Sequence, residues 1–209
     1  MSTVTSLEKR GRLVCIHLDE RRFCTLDEKT FARFPLKMGE EVETQEYMDR
    51  VSAFQMKNAW EYALSLLEVC DRTQRQVEDK LARRGVAPAA AEAVVSRLKE
   101  AGLIDDEAYA RRVIQLEAAQ AKGRYAVKRK LMQRGVAPEQ AQQALSSLTQ
   151  EQQQQACLEA ANKLYRRYRD DPLPAARRKL GQALARRGFA WEDIGSALER
   201  VLGQDEYED

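Results

Sequence analysis

One nine-residue phrase recurs three times along the 209-residue chain, and it constrains the fold more than any other feature. Lys80-Leu81-Ala82-Arg83-Arg84-Gly85-Val86-Ala87-Pro88 returns as Lys130-Leu131-Met132-Gln133-Arg134-Gly135-Val136-Ala137-Pro138. A looser third copy is Ala183-Leu184-Ala185-Arg186-Arg187-Gly188-Phe189-Ala190-Trp191. The glycines stand 50 and 53 residues apart. Each phrase has the chemistry of one helix ending and another beginning. Basic residues suit a last turn, Gly suits a position of positive φ, and Pro in two copies suits the first turn of the next helix.

The sequence around the phrase repeats as well. Downstream, Ala91, Val94, Val95 and Leu98 are matched by Ala141, Ala144, Leu145 and Leu148, and by Ile194, Ala197, Leu198 and Val201. This i, i+3, i+4, i+7 spacing lines one helical face. Val77 and Leu81, Val127 and Leu131, and Leu180 and Leu184 give the middle helix of each unit its own i, i+4 pair. A further amphipathic helix precedes each, carried by Trp60, Ala63, Leu64 and Leu67, by Tyr109, Val113, Ile114 and Leu116, and by Ala156, Ala160, Leu164 and Tyr168. Three units of three helices follow. Thr73-Gln74-Arg75-Gln76 has capping-box form, and Gly102-Leu103-Ile104-Asp105-Asp106 reads as a glycine stop, an apolar staple and an acidic cap. Residues 149–155 are Gln-rich with no Gly or Pro, so one long helix is expected to bridge units two and three. Pro172 and Pro174 break the chain before the middle helix of unit three.

The first 55 residues follow another pattern. Residues 12–18 are β-branched and apolar, residues 22–26 offer a partner strand, and Asp19-Glu20-Arg21 offers a turn. A small hairpin-like, strand-rich extension is expected, followed by an acidic stretch over 39–49. An isolated hairpin is marginal in water, so it must lean on the helices or on a partner. The expected division is therefore 1–55, 56–104, 105–150 and 151–209, a mainly α, elongated and curved array of three tandem three-helix repeats.

Composition excludes several classes. No apolar run approaches the roughly 20 residues of a membrane-spanning helix, and the N-terminus has no signal-peptide pattern, so a cytoplasmic protein without membrane partners is expected. Four scattered cysteines and a single histidine, His17, give no metal-ligand spacing; buried free thiols and a satisfied structural histidine are the simpler reading. There is no Gly-rich phosphate loop, no G-x-S-x-G and no H-E-x-x-H. Asp105 and Asp106 are explained by helix capping without invoking paired catalytic acids. A non-enzyme with no cofactor and no metal is expected.

Charge is where the signal lies. The formal net charge is only +2, yet residues 122–134 hold six basic side chains and no acid, and residues 163–187 hold nine against Asp170 and Asp171. Solvated helical faces account for such blocks as readily as a polyanion-binding surface does. Two features lean toward binding. The blocks recur at matching repeat positions, and Tyr125, Tyr165 and Tyr168 interleave with them. The balance is restored by an acidic tail, Asp205, Glu206, Glu208 and Asp209, whose removal is expected to tighten DNA binding if it shields the basic face.

With these residues in view the chain resembles the RecX family of bacterial recombinase regulators. The resemblance rests on Ala63-Leu64-x-x-Leu67 leading to Lys80-Leu81-x-x-Arg84-Gly85-Val86, on residues 98–110 with their Gly-Leu-Ile-Asp-Asp-x-x-Tyr-Ala string, and on Leu131 to Val136. It covers roughly residues 58–202, and unit three departs most, with Phe189-Ala190-Trp191 replacing Val-Ala-Pro. It implies a regulator that lies in the helical groove of the RecA filament on single-stranded DNA and inhibits strand exchange, ATP hydrolysis and co-protease activity. Affinity for single-stranded DNA, and more weakly for double-stranded DNA, is also implied. The expected binding face comprises Lys122, Arg124, Lys128, Arg129, Lys130, Arg177, Arg178, Lys179, Arg186 and Arg187, on a monomer. The alternative is a helical-repeat DNA-binding protein that acts independently of the recombinase.

Overall fold

A computed structural model describes residues 1–203, so the acidic tail over 204–209 lies outside the described residues. The chain forms two compact units, Met1–Asp105 and Asp106–Asp209. The architecture is mainly α, three three-helix repeats preceded by a small sheet.

The first unit opens with β1 (Ser2–Arg10), β2 (Leu13–Leu18) and β3 (Arg21–Asp27), followed by α1 (Glu28–Arg33), β4 (Glu41–Val42), α2 (Thr44–Val69), α3 (Gln74–Arg83) and α4 (Pro88–Glu100). The expected hairpin of residues 12–26 is present, within an antiparallel sheet of order β3-β2-β1-β4. Both hairpin turns carry the left-handed backbone that two-residue loops demand. Gly11 has φ +64°, and Asp19 and Glu20 have φ of +48° and +62°. The second turn holds this conformation because its polar groups are engaged from β1. Asp19 Oδ1 accepts from the Thr3 amide at 3.0 Å, and the Glu20 amide donates to Thr5 Oγ1 at 3.0 Å. One sheet face buries Val4, Ile16, Leu18 and Leu26 against Val51, Ala59, Val77, Leu81, Val94 and Leu98 of the helices in a single core. That shared core is what a small sheet needs, since each fully buried aliphatic side chain contributes about 2 kcal/mol.

Local signals set the helix ends. Thr73 and Gln76 form the reciprocal capping box that opens α3, and Pro88 is the first residue of α4. α2 begins at Thr44, well before the apolar stripe that starts at Trp60, and Glu43 caps it by accepting from the Glu46 amide. Acids at 43 and 46 favour a helix N-terminus, so part of the acidic stretch over 39–49 is helical. Between α3 and α4, Gly85 (φ +79°) comes so close to the β3–α1 junction that a Cβ there would stand 2.5 Å from the Asp27 amide nitrogen. Buried Gln55 of α2 secures this turn. Its Nε2 donates to the Gly85 carbonyl at 2.8 Å, and its Oε1 accepts from the Ala87 amide at 2.7 Å. His17 lies in β2, where its Nδ1 is buried without a hydrogen-bond partner among the described residues, so the expectation of a satisfied histidine does not hold.

The second unit consists of α5 (Asp106–Ala119), α6 (Arg124–Gln133), α7 (Pro138–Leu145), α8 (Gln150–Tyr165), α9 (Leu173–Arg186) and α10 (Trp191–Leu202). α5 to α7 enclose Val113, Ile114, Val127, Leu131, Val136 and Leu145, while α8 to α10 enclose Cys157, Leu164, Leu180, Leu184, Phe189 and Ile194. The bridging helix expected across 149–155 does not form. α7 stops at Leu145, and Thr149 with Gln152 builds a second capping box that starts α8 afresh. In α5 the buried stripe is Ala110, Val113, Ile114 and Glu117, which leaves Leu116 64% exposed rather than in the core.

α6 has no capping side chain at Gly123. Its first amides are instead met by the third copy of the recurrent phrase: the Gly123 amide donates to the Arg187 carbonyl at 3.0 Å, and the Tyr125 amide to the Gly188 carbonyl at 3.1 Å. A Cβ on Gly123 would lie 2.2 Å from the Gly188 oxygen, and one on Gly188 (φ +83°) 2.3 Å from the Ala126 amide nitrogen. Buried Gln153 of α8 and buried Asp193 of α10 tie α8 to its surroundings. Gln153 Oε1 accepts from the Arg124 amide at 2.9 Å, and Gln150 Nε2 donates to Asp193 Oδ1 at 2.7 Å. Burial pushes the Asp193 carboxyl upward, against the pull of that hydrogen bond.

Two measurements follow. Gly188→Ala combines a left-handed backbone with a backbone clash and is expected to cost about 3 kcal/mol or more, whereas Gly102→Ala, at φ +69° with nothing within 4 Å, should cost about 1 kcal/mol; denaturant unfolding of both checks the difference. Because Asp193 binds its proton more tightly folded than unfolded, its ionisation weakens the fold as pH rises through the folded pKa. Asp193→Asn keeps the acceptor for Gln150 and should gain stability relative to the parent as pH climbs above the ordinary carboxylate range, with no gain below it.

Candidate functional site

The docking of the 187–188 carbonyls on the start of α6 sets the two basic blocks beside each other. Lys122, Arg129 and Lys130 share a depression of about 270 Å³ with Arg186 of α9, together with Arg134 and Gln133. Among the described residues Glu117 is the one acid in its lining. This carboxylate is buried on the core-facing stripe of α5 and ion-pairs with the half-exposed ammonium of Lys130. Lys122, Arg129 and Arg186 line the same depression, and like charges gathered in one concavity repel one another and favour an incoming anion.

The outward face of α6 is of a different kind. Tyr125, Lys128, Arg129 and Met132 fall at i, i+3, i+4 and i+7 and line a shallow concavity of about 440 Å³. Tyr125 is 58% and Met132 48% exposed, although both are large apolar side chains. Lys128 Nζ donates to Gln142 Oε1 at 3.2 Å, which draws the ammonium toward α7.

The other expected residues are dispersed. Arg124 starts α6 and is half-buried, engaged through its amide with Gln153. Arg177, Arg178 and Lys179 are exposed on α9, outside the linings of both α6 concavities, and Lys179 is paired with Asp171 at 2.7 Å. Arg187 is half-buried and contributes its carbonyl to Gly123. Of the three tyrosines expected to interleave with the cations, Tyr165 and Tyr168 pack against the α8–α10 core and Tyr125 alone stands on the basic face. The sequence reading missed Met132 and Glu117 as parts of the site, and the i, i+3, i+4, i+7 spacing within α6 was the available signal. It also missed a groove of about 900 Å³ in the first unit, whose lining includes Arg12, Lys29, Arg83 and Arg84.

Among the described residues no cluster of three or more His, Cys, Asp or Glu is placed to hold a metal ion. Cys15, Cys24 and Cys157 are buried, and desolvation pushes the Cys24 and Cys157 thiols up to about 12, far from nucleophilic use. No described helix is long and apolar enough to cross a membrane.

Three family models match in tandem. RecX, first three-helix domain, matches residues 59–98; RecX, second three-helix domain, residues 105–145; and RecX, third three-helix domain, residues 150–198. Among curated relatives, Regulatory protein RecX of Streptococcus mutans is 29% identical over 199 residues, covering 94% of this chain and 76% of the relative. That of Limosilactobacillus reuteri is 26% identical over 209 residues, covering 100% of this chain and 79% of the relative. A crystal structure of regulatory protein RecX aligns with a TM-score of 0.64 at 25% identity, covering 98% of this chain and 100% of the other. RecX from Lactobacillus salivarius aligns with a TM-score of 0.66 at 26% identity over 71% of this chain and 97% of the other. With a separate family domain on each of its three helical repeats, and relatives matched across nearly its full length, the chain belongs to the RecX family of regulatory proteins.

Proposed function

We propose that this chain binds the RecA recombinase filament on single-stranded DNA, lies in the filament's helical groove, and inhibits strand exchange, ATP hydrolysis and co-protease activity without catalysing a reaction itself. Family membership supports the regulatory role. The observation that carries the contact is the outward face of α6, where exposed Tyr125 and Met132 flank Lys128 and Arg129. Apolar side chains left in water next to unneutralised cations match a partner that presents both apolar surface and negative charge. A nucleoprotein filament has both: protein side chains and stackable bases beside acids and phosphates.

The neighbouring depression of Lys122, Arg129, Lys130 and Arg186 extends the positive surface away from that face. Arg124, Arg177, Arg178, Lys179 and Arg187 then act at its margin, or through position alone. In this reading the protein works as a cytoplasmic monomer, takes single-stranded DNA in preference to double-stranded, and divides functionally at residues 55, 104 and 150.

Lys128→Glu with Arg129→Glu tests the assignment, since both side chains lie away from the apolar core. The concentration needed to halve DNA-dependent ATP hydrolysis by the recombinase should rise about tenfold or more, with helicity unchanged by circular dichroism. Inhibition by the parent protein should weaken steeply with added salt. Unchanged inhibition by the double variant overturns the assignment of α6. Tight DNA binding by the parent with no effect on the recombinase favours instead a DNA-binding protein that acts alone.

A further inference from the structure

We propose that the groove between the N-terminal sheet, α2 and the α3–α4 turn is a docking site for an extended acidic peptide segment of a protein partner. This surface lies wholly within Met1–Asp105 and does not depend on the α6 face. Three separate stretches of chain bring four cations to it: Arg12 follows the first hairpin turn, Lys29 lies on α1, and Arg83 and Arg84 end α3. Among the described residues none of the four has a carboxylate within ion-pairing distance, whereas Lys130 and Lys179 in the second unit are both neutralised by acids. Four exposed cations, none of them ion-paired among the described residues, thus surround one concavity of about 900 Å³.

The groove is also shaped for carboxylates. Arg84 sits over the Tyr62 ring with its guanidinium carbon 4.2 Å from the centroid. Stacking fixes the plane of the guanidinium and leaves its edge N–H groups for bidentate pairing. Behind the cations the floor is polar: Asn58 and Ser65 line it from α2, and Gln55 lies buried beneath.

Two features discriminate between polyanions. Glu61 stands in the groove wall, and Asp27 lies in the floor, already committed to the Thr30 amide and hydroxyl at 3.0 and 2.6 Å. A phosphodiester chain carries acceptors at every step and donates nothing along its backbone, so these two carboxylates oppose it. A peptide supplies backbone N–H donors for Glu61 and side-chain carboxylates for the arginines. The face of Tyr62 is moreover occupied by Arg84, which removes the one aromatic platform on which a base could stack.

The test uses the full chain, isotopically labelled with ¹⁵N, titrated with an octaglutamate peptide and, separately, with octathymidylate. The peptide should shift the backbone amides of Asn58, Glu61, Tyr62 and Arg84. Combined Arg12→Gln, Arg83→Gln and Arg84→Gln should weaken peptide binding about tenfold or more, while Lys128→Glu with Arg129→Glu should change it less than about twofold. Shifts confined to α6 and α9, or octathymidylate that occupies this groove more tightly than the peptide, would overturn the proposal. Because the parent spectra alone locate the peptide, a triple variant that fails to fold leaves the test intact. The double-glutamate variant of α6 separates failure of this site from failure of the filament contact.

Discussion

A helix cannot start in a protein interior unless something accepts its first amides, and the fold of the second unit depends on how α6 meets that requirement. Gly123 has no side chain to cap with, so the carbonyls of Arg187 and Gly188 serve instead. The approach is so close that neither glycine has room for a Cβ. The phrase that marks a helix stop in the sequence is therefore also a docking element: its positive-φ glycine turns two carbonyls outward, and the missing side chain lets another backbone reach them. In the first unit the same turn, at Gly85, is received by the β3–α1 junction and secured by Gln55.

This packing has an electrostatic consequence. Since the turn at 187–188 sits on the start of α6, Arg186 is brought to Lys122, Arg129 and Lys130 although more than 50 residues separate them in the chain. At an effective dielectric constant of about 20, two like charges 8 Å apart repel by about 2 kcal/mol, less in salt. Burial of Glu117 against Lys130 offsets part of this cost and leaves the rest in place. A fold that tolerates such repulsion gains when a polyanion covers it, and the same logic applies to the four unpaired cations of the first unit.

Much of this was legible from the chain alone, because turns and apolar periodicity are local. The three phrases, the Thr73 capping box and the stop at Gly102 located both ends of α3 and α4, the stop of α6 and the start of α7 closely. The break at 146–149 was hidden because it contains neither Gly nor Pro; Thr149 and Gln152 announce it, and the surrounding glutamines obscure their pairing. β1 was missed because its Ser and Thr residues read as a polar terminus, and they form a strand through pairing with β2 and β4. The early turns of α2 bury Tyr47 and Val51 beside Met48, but the acids interleaved with them hide this short apolar stripe. The site was legible as composition but not as arrangement. Net charge counted Lys179 as free, yet Asp171 holds it. It also concealed the first-unit groove, since Arg12 and Lys29 lie in a segment whose acids outnumber its bases and Arg83 and Arg84 read as ordinary last-turn residues.

Docking of the 187–188 turn on α6 is proposed to create the face that meets the recombinase filament. Amide hydrogen exchange of the full chain, free and bound to RecA filaments assembled on single-stranded DNA, addresses it directly. The account predicts that the filament slows exchange over α6 and the 186–189 turn together, and that naked single-stranded DNA protects the same amides less. Protection elsewhere with α6 exchanging as in the free protein would contradict it.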